Sequence, residues 1–373
     1  MNKLENTSKK KRPLIWKGKS YEKVLIIHNH DFHGAGFCAL IIYALNGIRK
    51  AKAMNAIPII DFNRDNTLYF YDSSKGESVW TYFFENVSPF KPSEIFQWLK
   101  TGEIDESQVL YIDSEKAAEE HQNDPDRLAT FWAWQRPKNP EGWMKDKRTL
   151  GRSYIEEYVK PKASIQNKVE VFVNEYFNTG FIIGIHIRGT DFHYAKPTSI
   201  KSYLQRIDQL LIKMDTSDYQ IFVATDQQQY LEIFKEHHGE RVLSWDSVRS
   251  NNHIAPLKFN EFSGYRKGED VLIDILLLSQ CNHIIKGAAA VGELALWFCR
   301  HDHITDFAIE SDFIRKQYGQ LESAFSQLNI GNKRKSILII YKLRDRTIRK
   351  VMASWVGRNL SVRYSWARRL LRH

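Results

Sequence analysis

Cysteine is scarce in this sequence and long apolar runs are absent, and both scarcities narrow the class of protein. The 373 residues include three cysteines, Cys38, Cys281 and Cys299, which lie in apolar runs without Cys-x-x-Cys or metal-ligand spacing. We therefore expect the three cysteines to be small buried hydrophobic residues of a protein in a reducing compartment. The longest uncharged apolar run, residues 32–47, is shorter than the ~20 residues that a membrane-spanning helix needs. Because the N-terminus also lacks the apolar core of a secretion signal, the sequence predicts a cytoplasmic protein.

Positive charge is missing from most of the chain and concentrated near its C-terminal end. The net charge is +10, but residues 331–373 hold thirteen Lys and Arg against one acid, a net +12, so the rest of the chain carries −2. A nucleic-acid-binding domain carries positive charge on its folded surface, so nucleic acid is not an expected partner. A second basic run, residues 9–12, lies in a segment, residues 1–20, that we expect to be disordered.

The tail, residues 331–373, combines its basic residues with apolar ones at helical spacing. Ile348, Val351, Met352 and Trp355 recur on this spacing. A basic amphipathic helix suits an anionic membrane surface, which would make the protein peripheral at the inner face of a membrane. Two alternatives stay open: the helix packs back on the first domain with its charges solvated, or it contacts nucleic acid.

The first half of the chain opens with the pattern of a βαβ unit. A short apolar strand, residues 24–28, is followed by a turn that contains His33, Gly34 and Gly36, then by a helical run, residues 37–54, and by another strand. Glycines at such a turn let the backbone approach a ligand and bring a helix N-terminus against it. Without a third glycine the turn is not a dinucleotide fingerprint, and a purely structural tight turn is the alternative.

Aromatic side chains crowd residues 63–148. Aromatic faces line many sugar-binding clefts, and core packing is the alternative interpretation. Within this stretch, residues 109–113 are predicted to form a further strand, and the proline-rich, charged residues 123–147 an exposed loop system.

The second half alternates regularly between strands and helices, which predicts a Rossmann-like domain with a parallel sheet covered on both faces. The predicted strands are 181–188, 220–224, 242–245 and 283–286. The predicted helices are 165–178, 201–213, 227–236, 268–280 and 291–300.

The first strand of this half ends with a histidine and an arginine two residues apart. His186 and Arg188 therefore leave the sheet on the same face. A doubly wound sheet binds ligands outside the carboxyl ends of its strands, and a guanidinium there suits phosphate oxygens. The alternative is a strand that ends in a solvated arginine.

Two more polar clusters follow, Ala224-Thr225-Asp226 at the next strand end and the helix Asp270-x-x-x-Asp274-x-x-x-x-Ser279-Gln280. Their order and spacing after the His-x-Arg-x-Thr-Asp string resemble the fucosyltransferase superfamily. This superfamily includes the α1,6-fucosyltransferases, the bacterial nodulation fucosyltransferases and the protein O-fucosyltransferases. The resemblance is strongest over residues 180–298.

The resemblance implies an α/β fold of GT-B type, with two Rossmann-like domains facing across a cleft. Residues 21–160 would form the acceptor-side domain and residues 161–330 the nucleotide-sugar-binding domain. It also implies GDP-fucose as donor, a glycan hydroxyl as acceptor, and inversion at the sugar carbon without a metal or other cofactor.

The site residues are carried over by position. By resemblance, Arg188 and His186 hold the donor diphosphate, Asp226 belongs to the nucleotide pocket, and Asp274 pairs with the guanine edge. Electrostatics supports the roles of Arg188 and His186, because a departing diphosphate needs positive charge or amide donors when no metal is present. For Asp274 the alternative is a solvated helix acid.

The chain departs from the superfamily's pattern near the phosphates. Where relatives commonly place a serine pair, this sequence has Ala288, Ala289 and Ala290, so only backbone amides serve there. Lys196 and Ala35 stand where some relatives have their proposed general base or loop residue.

The general base is therefore unassigned. Its candidates are Asp191, His193, Asp31 and His33, and Asp191 has the alternative of holding the Arg188 loop. The departures also leave open a non-catalytic nucleotide or glycan-binding module of the same fold.

Overall fold

A computed structural model of the chain describes residues 12–28, 35–65, 67, 69–112, 124–130, 137, 139–190 and 198–310. These residues lie in the compact unit Met1–Ser311. The tail, residues 331–373, and its three alternative roles lie outside the described residues. None of the described helices is both long enough and apolar enough to cross a membrane.

The N-terminal half contains a parallel sheet and a short hairpin. The hairpin pairs β1 (Leu14–Trp16) with β2 (Lys19–Tyr21) through a turn in which Lys17 and Gly18 have positive φ. The sheet consists of β3 (Lys23–Ile27), β4 (Ala56–Ile60) and β5 (Val109–Tyr111), in the order β4-β3-β5. The carboxyl ends of its three strands therefore meet at one edge, with β3 in the middle.

The C-terminal half contains a second parallel sheet. Its strands are β6 (Ile182–Ile187), β7 (Gln220–Thr225), β8 (Val242–Leu243), β9 (His283–Lys286) and β10 (Ile304–Asp306). They lie in the order β10-β9-β6-β7-β8, and every pairing is parallel. β6 is the central strand, and all six of its residues are buried, as its apolar composition requires.

Helices connect the strands of both sheets. They are α1 (Phe37–Ala53), α2 (Trp80–Phe83), α3 (Pro92–Thr101), α4 (Pro140–Tyr158), α5 (Ala163–Tyr176), α6 (Ile200–Met214), α7 (Gln228–His238), α8 (Gly264–Ser279), α9 (Ala290–Phe298) and α10 (Phe307–Glu310). Helix α8 begins four residues earlier than predicted, because the Ser263 side chain caps it by accepting a hydrogen bond from the Arg266 amide at 3.2 Å.

The two sheets share one cluster of buried apolar side chains, which includes Leu45 of α1, Leu278 of α8 and Ile284 of β9. α4 packs closely on α9 where Gly151 lies against the indole of Trp297. A Cβ at position 151 would come within 2.4 Å of a ring carbon of Trp297. The α/β class with parallel sheets is thus confirmed, whereas the division into two domains across a cleft stays a prediction.

The structure corrects two predictions. The loop predicted over residues 123–147 is wrong from Pro140 onward, where α4 begins with proline at its first position. Asn139 caps this helix, since its side chain accepts a hydrogen bond from the Gly142 amide at 3.1 Å. The disordered segment predicted over residues 1–20 is wrong for the hairpin, whose Leu14 is buried.

The aromatic stretch and the cysteines are largely core. Phe70, Trp80, Phe83 and Phe84 are at most 3% exposed, so the packing interpretation holds for them. Phe131, Trp132 and Trp134 lie outside the described residues. All three cysteines are buried and unpaired with one another, as expected.

Candidate functional site

His186 is the fifth residue of β6 and is buried at its carboxyl end. Its backbone oxygen accepts a hydrogen bond from the Tyr203 hydroxyl at 3.1 Å, which ties the strand to α6. Its Nδ1 atom is buried and has no hydrogen-bond partner among the described residues. Burial and the positive charges of Lys286 and Arg188 lower the pKa of His186 to about 3, so the imidazole is neutral.

The N-terminus of α9 lies directly against His186. A Cβ added at Gly292, in the first turn, would lie 3.1 Å from Nδ1 of His186, so only glycine lets the helix approach this closely. Ala289 precedes the helix and offers no side-chain cap. The first-turn amides, which begin at Ala290, therefore lack a side-chain partner, and such amides together with the helix dipole favour an anion.

Arg188 follows β6 directly and is partly exposed. Its charge acts on His186, on Asp226 and also on Cys38 in the first turn of α1. Burial raises the pKa of the Cys38 thiol to about 12, and the Arg188 charge opposes this shift. The start of α1 also packs against the second half of the chain, since a Cβ added at Gly268 of α8 would lie 3.3 Å from Cδ2 of Phe37.

Asp226 follows β7 and holds the loop that carries Arg188. Its Oδ1 accepts a hydrogen bond from the Gly189 amide at 2.7 Å, and its Oδ2 accepts from the Thr190 hydroxyl at 2.5 Å. Burial raises the pKa of Asp226, while these hydrogen bonds oppose the shift. Both oxygens bind the loop, so Asp226 positions Arg188, and its membership of a nucleotide pocket stays a prediction.

Asp274 is a buried acid on α8, so the solvated-acid alternative is wrong. Its Oδ2 accepts a hydrogen bond from the Ser247 hydroxyl at 3.0 Å, and its Oδ1 is buried without a hydrogen-bond partner among the described residues. Burial raises the pKa of Asp274 to about 7, against the effect of Arg249. A half-satisfied buried carboxyl of this kind is suited to receive donors from a ligand.

The segment after β8, which sequence reasoning missed, closes over Asp274. Arg249 donates hydrogen bonds to the backbone oxygens of Trp245 at 2.6 Å and Ser247 at 3.2 Å. The Val248 amide donates to Asp270 at 3.0 Å. No motif marks these residues, and the only signal was their place after a strand of a parallel sheet.

A buried ion network lies beneath the N-terminus of α9. Glu293 accepts from Lys286 at 2.9 Å and from Arg148 at 2.8 and 2.9 Å, and Asp306 lies 3.0 Å from Lys286 and 2.5 Å from Arg148. Burial disfavours the charge of Arg148, but the two carboxylates outweigh it and raise its pKa. The network joins α4, β9, α9 and β10. Its sequence signal was a single acid in an otherwise apolar helix.

The carboxyl edge of the first sheet carries a second polar cluster that sequence reasoning missed. His28 follows β3 and Asp61 follows β4, and Nδ1 of His28 lies 3.2 Å from Oδ2 of Asp61. The ring of Tyr111, at the end of β5, stacks on the His28 ring with centroids 5.8 Å apart.

The remaining predicted site residues divide by whether the structure describes them. Asp191, His193, His33 and Gly34 lie outside the described residues. Gly36 caps α1 with φ −72°, an angle open to any residue, and the nearest atom to an added Cβ is Cδ2 of Leu257 at 4.0 Å. Among the described residues, no group of three or more His, Cys, Asp or Glu is arranged to hold a metal ion.

Comparison with known proteins finds similarity only in three dimensions. No protein-family model and no curated protein matches the sequence. Fucosyltransferase NodZ from Bradyrhizobium is 17% identical over 77% of this chain and 96% of its own, with a TM-score of 0.43. FUT1 of Arabidopsis thaliana, a variant in complex with GDP, is 12% identical over 78% and 70%, with a TM-score of 0.42. POFUT1 in its apo form is 8% identical over 78% and 99%, with a TM-score of 0.40. The three solved structures named here are fucosyltransferases.

Proposed function

We propose that the chain is an inverting glycosyltransferase that moves fucose, or a related sugar, from a GDP-sugar to a glycan hydroxyl. The observation that carries this proposal is the meeting of three groups at the tip of β6. The Arg188 guanidinium, the His186 imidazole and the uncapped first turn of α9 converge there. No carboxylate of the described residues pairs with His186.

These groups match the charge that develops when a nucleoside diphosphate leaves. As the bond between the sugar and the β-phosphate breaks, negative charge collects on the phosphate oxygens, and preorganised donors stabilise it. Arg188 supplies a permanent charge, and the amide of Ala290 lies at the helix N-terminus, whereas the Ala289 amide donates to the Gly287 oxygen at 3.0 Å. The neutral imidazole of His186 donates through a ring N–H. Lys286 is already neutralised by Glu293, so it is not needed in this role.

Asp274 would recognise the guanine base. A carboxylate accepts from N1–H and the 2-amino group of guanine together, an edge that adenine does not present. Burial of Asp274 beside Ser247 strengthens such hydrogen bonds, because little water competes for them. The segment after β8 then forms one wall of the base pocket.

The reaction is a single displacement without a metal ion. The acceptor oxygen attacks the anomeric carbon on the face opposite GDP, so the configuration inverts. In this proposal residues 161–330 hold the donor, and residues 21–160, with the turn at His33, Gly34 and Gly36, hold the acceptor. Asp191 and His193 stay proposed catalytic residues that follow Arg188.

Nucleotide selectivity tests the donor class. We expect GDP to raise the melting temperature of the protein, and UDP, ADP and CMP to leave it nearly unchanged at equal concentration. A ligand at 100 times its Kd stabilises the native state by about 2.7 kcal/mol, which a thermal-shift assay detects. Equal shifts from GDP and ADP would contradict the assignment of Asp274 to the guanine edge.

GDP affinity should depend on pH through Asp274. The folded-state pKa of about 7 exceeds the ordinary value, so the free protein holds a proton there between about pH 4 and 7. In that window the folded state binds more protons than the unfolded state, and this group's contribution to stability falls as pH rises. Guanine needs the carboxylate, so the Kd for GDP should be about tenfold higher at pH 6 than at pH 8.

Calorimetry of Asp274→Asn checks this expectation. The variant should bind GDP weakly at both pH values, because an amide accepts at only one atom and cannot change its charge. Asp215→Asn, at the exposed C-terminal cap of α6, is the control and should keep the wild-type pH dependence. A wild-type Kd for GDP that is the same at pH 6 and pH 8 would contradict the expected titration of Asp274 in this range.

A non-catalytic nucleotide-binding module is the second candidate. The observation in its favour is the run Ala288, Ala289 and Ala290, which provides no hydroxyl beside the phosphates. Release of GDP from GDP-fucose distinguishes the two, since a binding module saturates without turnover.

Attachment of the tail, residues 331–373, to an anionic membrane and a cytoplasmic location remain proposals, and nucleic acid is not a proposed partner.

A further inference from the structure

We infer that His28 and Asp61 form the proton-accepting pair for the acceptor hydroxyl, with His28 as the general base and Asp61 as the residue that orients it. The inference rests on the proposed function and deepens it, since that function leaves the base among residues that the structure does not describe.

The position of the pair is that of a ligand site in a parallel sheet. His28 is the residue after β3, the central strand, and Asp61 is the residue after β4, its neighbour. Tyr111 ends the third strand at the same edge. Ligands of open α/β sheets bind outside the carboxyl ends of the strands, and three strand ends here present polar or aromatic groups together.

The contacts hold the imidazole in one orientation. Asp61 is anchored by its own amide, which donates to the Ile27 oxygen at 2.9 Å, and by Asn63, whose side chain donates to Oδ2 at 3.1 Å. The Tyr111 ring stacks on the His28 ring with an interplanar angle of 1°. The side chains of His28 and Asp61 are only 10% and 8% exposed, which limits their movement.

This arrangement suits a base. When the Asp61 carboxylate accepts the Nδ1 proton, the lone pair of the ring resides on Nε2, and the carboxylate stabilises the imidazolium that forms on proton uptake. His186 cannot take this role, because its pKa of about 3 reflects burial beside Lys286 and Arg188. Among the described histidines, His28 is the one that lies within 4 Å of a described carboxylate.

The connection to the donor side runs through the same strand. β3 leads into α1, and Cys38 in the first turn of α1 lies within the electrostatic reach of Arg188. The strand end that carries His28 and the helix start whose Cys38 is affected by the Arg188 charge thus belong to one βα unit.

The acceptor hydroxyl gives its proton to Nε2 of His28 while its oxygen forms a bond to the anomeric carbon of the sugar. The bond from that carbon to the β-phosphate oxygen breaks, and GDP leaves with the electron pair. The imidazolium, paired with Asp61, afterwards returns the proton to water.

The test compares two small nucleophiles, so the natural acceptor need not be known. Water must lose a proton to attack GDP-fucose, whereas azide attacks as an anion and needs no base. The variant His28→Asn keeps a side-chain N–H near the position of Nδ1, so it can still donate to Asp61, but it cannot accept the proton. We expect it to lower hydrolysis of GDP-fucose about 100-fold or more and to leave formation of fucosyl azide within a few-fold of wild type.

The outcomes separate this inference from the proposed function. Wild-type hydrolysis in His28→Asn, or equal losses with water and azide, would overturn the assignment of His28, while GDP-fucose turnover by the wild type would still support the proposed function. Absence of both GDP binding and turnover in the wild type would refute the proposed function itself. Melting temperatures monitor folding, and if His28→Asn does not fold, Asp61→Asn takes its place, with the same selective loss of hydrolysis expected.

Discussion

Replacing Arg188 by alanine should lower the rate of GDP release from GDP-fucose by about 100- to 1,000-fold, the loss typical of removing one preorganised donor from a developing anion. The guanidinium follows the central strand of the sheet, where the loop is held by three hydrogen bonds to Asp226. Its charge is therefore already in place when the phosphate begins to leave. Water molecules that replaced it would first have to reorient around the developing negative charge.

Two further variants make the measurement specific. Arg188→Lys keeps the charge but loses the planar fork, so its turnover should lie between those of alanine and wild type. Arg241→Ala removes an arginine of the same half that stacks over Tyr219, before β8, and it should leave turnover unchanged. Near-normal turnover in Arg188→Ala would refute the role of Arg188 in holding the departing diphosphate.

Replacing Glu293 by alanine should destabilise the fold by about 3–5 kcal/mol, because it leaves two buried cations with one carboxylate. Lys286 and Arg148 both bind Glu293, and Asp306 alone cannot neutralise them. Glu293 follows Gly292, where an added Cβ would lie 3.1 Å from Nδ1 of His186, so the variant should also weaken GDP binding.

Urea denaturation with an exposed ion pair as control checks this value. Arg12 and Glu103 form a pair at 2.8 Å whose side chains are 46% and 39% exposed, so Glu103→Ala should cost less than about 1 kcal/mol. A similar loss in both variants would show that the buried network contributes no more than a surface pair. A selective loss in Glu293→Ala would identify it as a main support of α9.

Prediction from sequence succeeded where the signal is local. The four strands predicted for the second sheet are present, and His186 and Arg188 lie at the end of the central strand as expected, because an apolar run that ends in polar residues is a short-range pattern. It failed at α4, where Pro140 reads as a chain breaker but occupies the first helical turn. It also missed β10, a three-residue strand too short to show a period.

The partners of the site residues could not be read from the sequence. Asp226 binds Gly189 and Thr190, and Asp274 binds Ser247. These partners are 27 to 37 positions apart in the sequence, so no short-range pattern connects them. Asp226, predicted to belong to the nucleotide pocket, uses both carboxylate oxygens to hold the loop that carries Arg188. A carboxylate at a strand end can bind either a ligand or the backbone amides of a loop, and the sequence does not distinguish the two.

Residue order along the chain was thus sufficient for the parallel strands and for the kinds of charge at their ends, since hydrophobic period and turn residues act over a few positions. Folding decided which charges meet: Arg148 and Glu293 are 145 positions apart, and His28 reaches Asp61 only because β3 and β4 pair in parallel. These contacts depend on which strand ends and helix starts pack together, and that is a property of the whole core.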